Sequence, residues 1–159
     1  MAEFIQKHKL FSFYSTLMLL VVLIAIFAPW LAPGDAFSSN LSQALQAPSS
    51  QHWFGTDKLG RDVLSRIIYG TQLSLFMGVT IVVIMVSVGT IIGAAAGYFG
   101  GKVEMVLMRI TDIMLSFPGI VLAIAIAGIL GGSIVNTILA LSVVGWAKYA
   151  RIVRSMTLK

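Results

Sequence analysis

Three predominantly apolar stretches of the chain contain no Asp, Glu, Lys or Arg: Leu10–Gly34, Ile67–Gly101 and Ile113–Ala147, of 25, 35 and 35 residues. An α-helix rises about 1.5 Å per residue, so about 20 residues cross a hydrocarbon core of about 30 Å. Inside lipid, backbone amides and carbonyls must find partners within the protein, and a helix provides them segment by segment. The expected fold class is therefore all-α, a polytopic helical membrane protein. Composition agrees, because charged residues are 11% of the chain against roughly 25% in an ordinary soluble domain. Several spans use up the 159 residues, which excludes a separate soluble catalytic or nucleotide-binding domain. No Gly-x-x-x-x-Gly-Lys-Ser/Thr phosphate loop occurs. The absence of cysteine rules out disulfides, zinc-thiolate sites and thiol nucleophiles.

The same ruler divides the sequence. Residues 1–12 form a cytoplasmic N-terminus, and 13–32 a retained first span rather than a cleaved signal. Pro29 and Pro33 mark its far end, and Trp30 suits the interface. Residues 33–72 read as an external loop, polar from Gly34 to Gln51, that ends in an amphipathic interfacial helix. A second span follows at 73–98. Within it Gly89, Gly93 and Gly97 recur every fourth residue, a small-residue stripe for close helix packing. Gly100 and Gly101 begin a cytoplasmic turn and helix extension over 99–110. The third span is expected at 111–130 and the fourth at 134–153, joined through Gly131-Gly132-Ser133 and followed by a cytoplasmic end at 154–159. With the N-terminus inside, Lys7, Lys9, Lys102, Arg109, Lys148, Arg151, Arg154 and Lys159 are cytoplasmic. Only Lys58, Arg61 and Arg66 lie outside, beside Asp57 and Asp62, as the positive-inside rule requires. The net charge of +5 thus reads as a topology signal and not as a nucleic-acid patch.

Between the first two apolar blocks lies a charged island, Trp53 to Leu75, holding five of the seventeen formal charges. Gly55 supports a turn, and Thr56 or Asp57 is placed to cap a helix N-terminus. Leu59, Val63, Leu64, Ile67 and Ile68 fall on one helical face. Asp57 and Arg61 are spaced i,i+4, as are Asp62 and Arg66, with the acid first in both pairs.

The pattern Phe-Gly-Thr-Asp-x-x-Gly-Arg-Asp-x-x-Ser-Arg followed by Gly-x-x-x-Ser-Leu covers Gly55, Thr56, Asp57, Gly60, Arg61, Asp62, Ser65 and Arg66. It resembles the signature before the transport core of permease subunits in the dipeptide, oligopeptide and nickel ATP-binding-cassette importers. Gly97-Tyr-x-Gly-Gly, Met108-Arg-x-x-Asp112, Leu115-Ser-Phe-Pro118 and Trp146-Ala-Lys-Tyr-Ala-Arg-Ile-Val-Arg-Ser-Met156 also look like that family. The resemblance implies about four of the six helices of a type I importer permease in a bacterial inner membrane. It further implies a second permease, two ATP-binding subunits that hold ATP and Mg, an external solute-binding protein, and a peptide or nickel cargo. No cofactor is expected in this chain, which reads as a transport subunit and not an enzyme. In the family a Glu-Ala-Ala loop that docks on the ATPase follows this point. Its expected absence leaves, as the alternative, a truncated non-transporting remnant or assembly partner.

Individual side chains add little chemistry. His8 and His52 lie on opposite sides of the expected membrane, without ligands at metal-binding spacing. His52 reads as an interfacial residue beside Trp53, with a nickel-ligand role the alternative, and Met105 and Met108 read as packing. Asp112 is the exception: an ionisable group at the end of a span must face protein or water. Arg109, three residues earlier, is placed to pair with it, and Pro118 to bend the span. These three residues form either a structural clasp or part of a gate.

Overall fold

A computed structural model describes residues 9–158, so the N-terminal segment with Lys7 and His8, and the terminal Lys159, lie outside the described residues. The chain forms two compact units, one ending at Phe76 and the other starting at Met77. The first unit opens with α1, Lys9–Ile26, 18 mostly apolar residues of which only Ala25 is buried. Phe11, Phe13, Leu17, Leu20 and Leu23 stay exposed, as a helix hydrophobic all round does when lipid is its intended solvent. A four-residue helix, α2 (Ala28–Leu31), follows with Pro29 in its first turn. The break at Phe27 has a local cause: the Pro29 ring crowds the carbonyl four residues back, so α1 cannot run on undisturbed.

From Pro33 to Asp62 the backbone is irregular apart from a 3-10 turn, Leu41–Gln43, and an isolated antiparallel bridge between Thr56 and Asp62. The long helix α3, Val63–Phe99, then runs 37 residues, about 55 Å at the standard rise. The sequence predicts an interfacial helix distinct from the span that begins near residue 73. The two are one continuous helix, because no proline or polar cluster lies between Val63 and Leu73 to end it and Gly70 alone does not.

In the second unit α3 gives way at Gly100 and Gly101, both in the left-handed region with φ of 62° and 53°, to α4, Gly101–Ser116. Phe117 is extended, as the residue before a proline must be. Pro118 opens α5, Gly119–Leu130. The expected bend at Pro118 is larger than a kink: α4 and α5 meet at 88°. Ser133 caps α6, Ile134–Thr157, by accepting the Asn136 amide. The Asn136 side-chain amide donates to the carbonyls of Leu130 and Gly131, so one residue closes both helix ends of the hairpin.

By length and composition α1 and α3 are fit to cross a membrane, and the bent α4–α5 pair makes a third if counted as one span. Helix α6, where a fourth span is predicted, is not among them. Asn136 and the cations Lys148, Arg151 and Arg154 lower its mean hydropathy.

Candidate functional site

All eight signature residues of the charged island meet in one knot within the first unit. Gly55 and Gly60 sit at φ of 71° and 72°, and a Cβ on either would run into a backbone carbonyl, of Gln46 or Asn40 respectively. These turns fold 53–62 back on the loop. Asn40 donates its amide to the Leu59 carbonyl at 2.9 Å, and Leu45 to that of Asp57 at 3.1 Å. Thr56 adds a side-chain rivet: its hydroxyl accepts the Gln46 amide at 2.9 Å and donates to the Gln43 carbonyl.

The two aspartates divide the remaining work. Asp57 accepts the Leu59 amide at 2.8 Å, the Arg61 amide at 3.0 Å and the Arg61 Nε at 2.9 Å, and also binds Arg66. The Arg61 amide foremost, with these other donors, holds its carboxyl well below the usual carboxylate range, against a smaller opposing effect of burial. Asp62 is 3% exposed and accepts the Ser65 amide at 2.8 Å and the Ser65 hydroxyl at 2.7 Å, with His52 Nδ1 at 3.0 Å on its other oxygen. Burial is the largest single influence on Asp62 and pushes its pKa up. Bonds from the Ser65 amide and hydroxyl and from His52 together outweigh it, so the net shift is downward. Ser65 Oγ in turn accepts the Gly34 amide at 3.0 Å, which ties the end of the α1–α2 segment to the start of α3.

Three local expectations are corrected by this geometry. The residue that caps the helix is Asp62 and not Thr56 or Asp57, because the chain is still turning at Gly60 and α3 begins only at Val63. Asp62 is not paired with Arg66, whose guanidinium reaches Asp57, nine residues away in sequence. His52 is a partner of the buried Asp62 and not simply a residue beside Trp53. The Asp-x-x-Ser spacing of 62 and 65 carried the signal for the cap: a side-chain acceptor three residues before a helical amide. Serine, histidine and aspartate do meet here, but the carboxylate stands between the other two. Ser65 and His52 both bond Asp62, which is the wrong order for a base to activate a nucleophile. The knot positions backbone; among the described residues no three His, Asp or Glu side chains gather to hold a metal.

The second unit carries the other sequence-selected residues. Gly89, Gly93 and Gly97 are buried against α6, where a Cβ on Gly89 would stand 2.5 Å from Tyr149 Cβ and one on Gly97 2.7 Å from Thr157 Cβ. On Gly93 it would meet the Ala150 carbonyl. The stripe thus lets α3 approach the backbone of α6, whose facing Ala147 and Ala150 are completely buried.

Two ion pairs fasten α4 to α6. Asp112 Oδ1 accepts from Arg151 at 2.6 Å, and Glu104 accepts from Arg154 through Nε at 2.7 Å and again through Nη2. The expected Arg109–Asp112 pair is not formed; Asp112 reaches across to the neighbouring helix, 39 residues on. Neither Glu104 nor the pairing of Arg151 and Arg154 was apparent from sequence spacing, because both contacts are tertiary. These side chains, with Arg109, Met105 and Met108, line a cavity of about 420 Å³. Pro118 lies at the bend, where a second cavity of about 390 Å³, lined by Met85, Phe117, Ala123 and Val144 among others, also includes Lys148.

Residues 89–159 match the model of the binding-protein-dependent transport system inner membrane component, and residues 5–48 that of the N-terminal TM domain of oligopeptide transport permease C. The chain is 45% identical over 95% of its length to a dipeptide transport system permease protein of Alkalihalophilus pseudofirmus, covering 50% of that protein. It is 41% identical over 91% of its length to a probable D,D-dipeptide transport system permease protein of Escherichia coli, covering 48%. A glutathione transport system permease protein of Pectobacterium atrosepticum is 41% identical over 98% of the chain, with 52% covered. The chain spans about half the length of the curated relatives it matches.

Proposed function

We propose that the chain belongs with the binding-protein-dependent transport permeases, whose family models match residues 89–159 and 5–48, and that it contributes helices to the translocation path of an ATP-driven importer of short peptides. The identity to a dipeptide permease over 95% of the chain carries this reading. Peptide is favoured over nickel as cargo, because the relatives named above are dipeptide and glutathione permeases.

The partners follow from the family: a second permease to complete the path, two ATPases that bind ATP and Mg, and an external protein that delivers the solute. The chain's own part is mechanical. Movement imposed by the ATPases is carried by α6, which is locked to α3 along the glycine stripe and to α4 by two ion pairs. The half-exposed Asp112–Arg151 pair is the more easily broken of the two, being accessible to water at both ends. Asp112 and Arg151 then serve as a releasable clasp, while Arg154 and Glu104 hold.

In the topology we favour, the N-terminus and the basic end of α6 are cytoplasmic and the 53–66 knot is external, in the inner membrane of a bacterial cell. The test is uptake of labelled dipeptide, glutathione and nickel by a permease-deficient strain that carries the remaining transporter subunits and this gene. Dipeptide uptake that depends on ATP and on the gene is expected. Nickel uptake without peptide uptake would overturn the cargo assignment.

A further inference from the structure

We propose that the cavity between α4 and α6 binds the phosphate of an anionic phospholipid headgroup, with Arg109 as its principal contact. Three guanidiniums, of Arg109, Arg151 and Arg154, line this one space, opposed by only two carboxylates, Glu104 and Asp112. The two acids are not equally committed. Glu104 takes two bonds from Arg154, with the pair 21% and 34% exposed. Asp112 takes one from Arg151, with both partners more than half exposed. The Arg109 guanidinium bonds to no described residue. Among the described residues the cavity therefore holds one guanidinium without a partner and a second that is loosely held, on facing helices, with a surplus of one positive charge.

A guanidinium fork matches a phosphate better than any other common anion except a carboxylate, since two parallel N–H groups meet two oxygens. What favours a lipid over a soluble phosphate is the surface beside the cavity. Met105 lines it and is exposed, and Val106, one turn before Arg109 on the same helix, is exposed too, an apolar flank on which acyl chains can lie. Basic pockets between helices on the cytoplasmic side of a membrane hold anionic headgroups in this way. The placement at that boundary rests on the topology proposed above. The ligand assignment itself rests on the charge inventory of the cavity.

The purified 159-residue chain in neutral micelles, titrated with dioctanoyl phosphatidylglycerol and dioctanoyl phosphatidylcholine and read by native mass spectrometry, tests the site without any transport assay. The anionic lipid is expected to bind more tightly. Arg109→Gln is expected to weaken it about fivefold, the usual contribution of one cation near such a headgroup, and Arg109→Lys to retain most of the affinity. Asp112→Asn, which frees Arg151, is expected to raise affinity, a gain that misfolding cannot imitate. Equal binding of the two lipids, or no response to Arg109→Gln and Asp112→Asn, would overturn the proposal. So would inorganic phosphate or ATP competing at concentrations similar to the lipid, which would make the site one for soluble anions. Because uptake is not read, a failed peptide-transport reading leaves this result standing, and the reverse also holds.

Discussion

Asp62 is the residue on which the 53–66 knot depends most. It is buried, it caps α3, and it joins Ser65 and His52 to one carboxylate. Replacing it by Ala leaves the Ser65 amide and hydroxyl and the His52 ring without their acceptor, and an orphaned buried donor costs about 1–3 kcal/mol. Asp62→Ala is therefore expected to expose residues 33–66 to limited proteolysis while α3 itself stays helical by circular dichroism. The pH dependence follows from the same carboxylate. Its pKa in the folded chain lies below the ordinary value of 3.8, so its stabilising effect is complete above that value and is lost as pH falls through the folded one. Hydrogen exchange at the Ser65 amide is expected to stay slow from pH 7 down to the ordinary carboxylate value and to lose protection, relative to the intrinsic rate, only in more acid solution. In Asp62→Asn this acid-dependent component should vanish; an unchanged profile in that variant would show that another group governs the knot. Gly60→Ala tests the turn separately. Its positive φ and its contact with the Asn40 carbonyl predict a loss of at least about 1 kcal/mol, measured by the same exchange experiment.

At the scale of the elements, α3 and α6 meet through positions where even a methyl group does not fit. Gly93→Ala is expected to push the helices apart, whereas Gly78→Ala, with open space around it, is expected to be neutral or slightly favourable to the helix. Thermal unfolding in micelles separates the two: a substantial fall in midpoint for the first and none for the second. Equal midpoints would show that the stripe does not carry the contact. The ion pairs grade in a similar way. Arg154→Gln removes two bonds in a sheltered setting, while Arg151→Gln removes one in water, where exposed pairs contribute about 0–1 kcal/mol. A larger loss of stability is therefore expected from Arg154→Gln.

For the whole molecule, the reading to test is orientation. The chain has no cysteine, so single substitutions report unambiguously. In intact cells a membrane-impermeant maleimide is expected to label Ser50→Cys in the external loop, and Ser155→Cys, near the end of α6, only after permeabilisation. The opposite pattern would overturn the proposed topology.

The long apolar runs, the glycines every fourth residue and Pro118 are local or periodic features, and each acts on the backbone around it. Sequence alone therefore determined an all-helical chain for a membrane, a close-packing face and a break after Phe117. It also singled out residues 55–66, since eight positions at strict spacing in a charged island are legible without coordinates. Partners were a different matter. Whether Asp112 meets Arg109 or Arg151 and whether Asp62 meets Arg66 or His52 depend on distances between segments apart in sequence. A carboxylate has several cations within reach of its spacing, and helix geometry ranks only those on its own helix. Tertiary structure made the choice, because the Gly60 turn carries Asp57 to Arg66 and the packing of α4 on α6 carries Asp112 to Arg151.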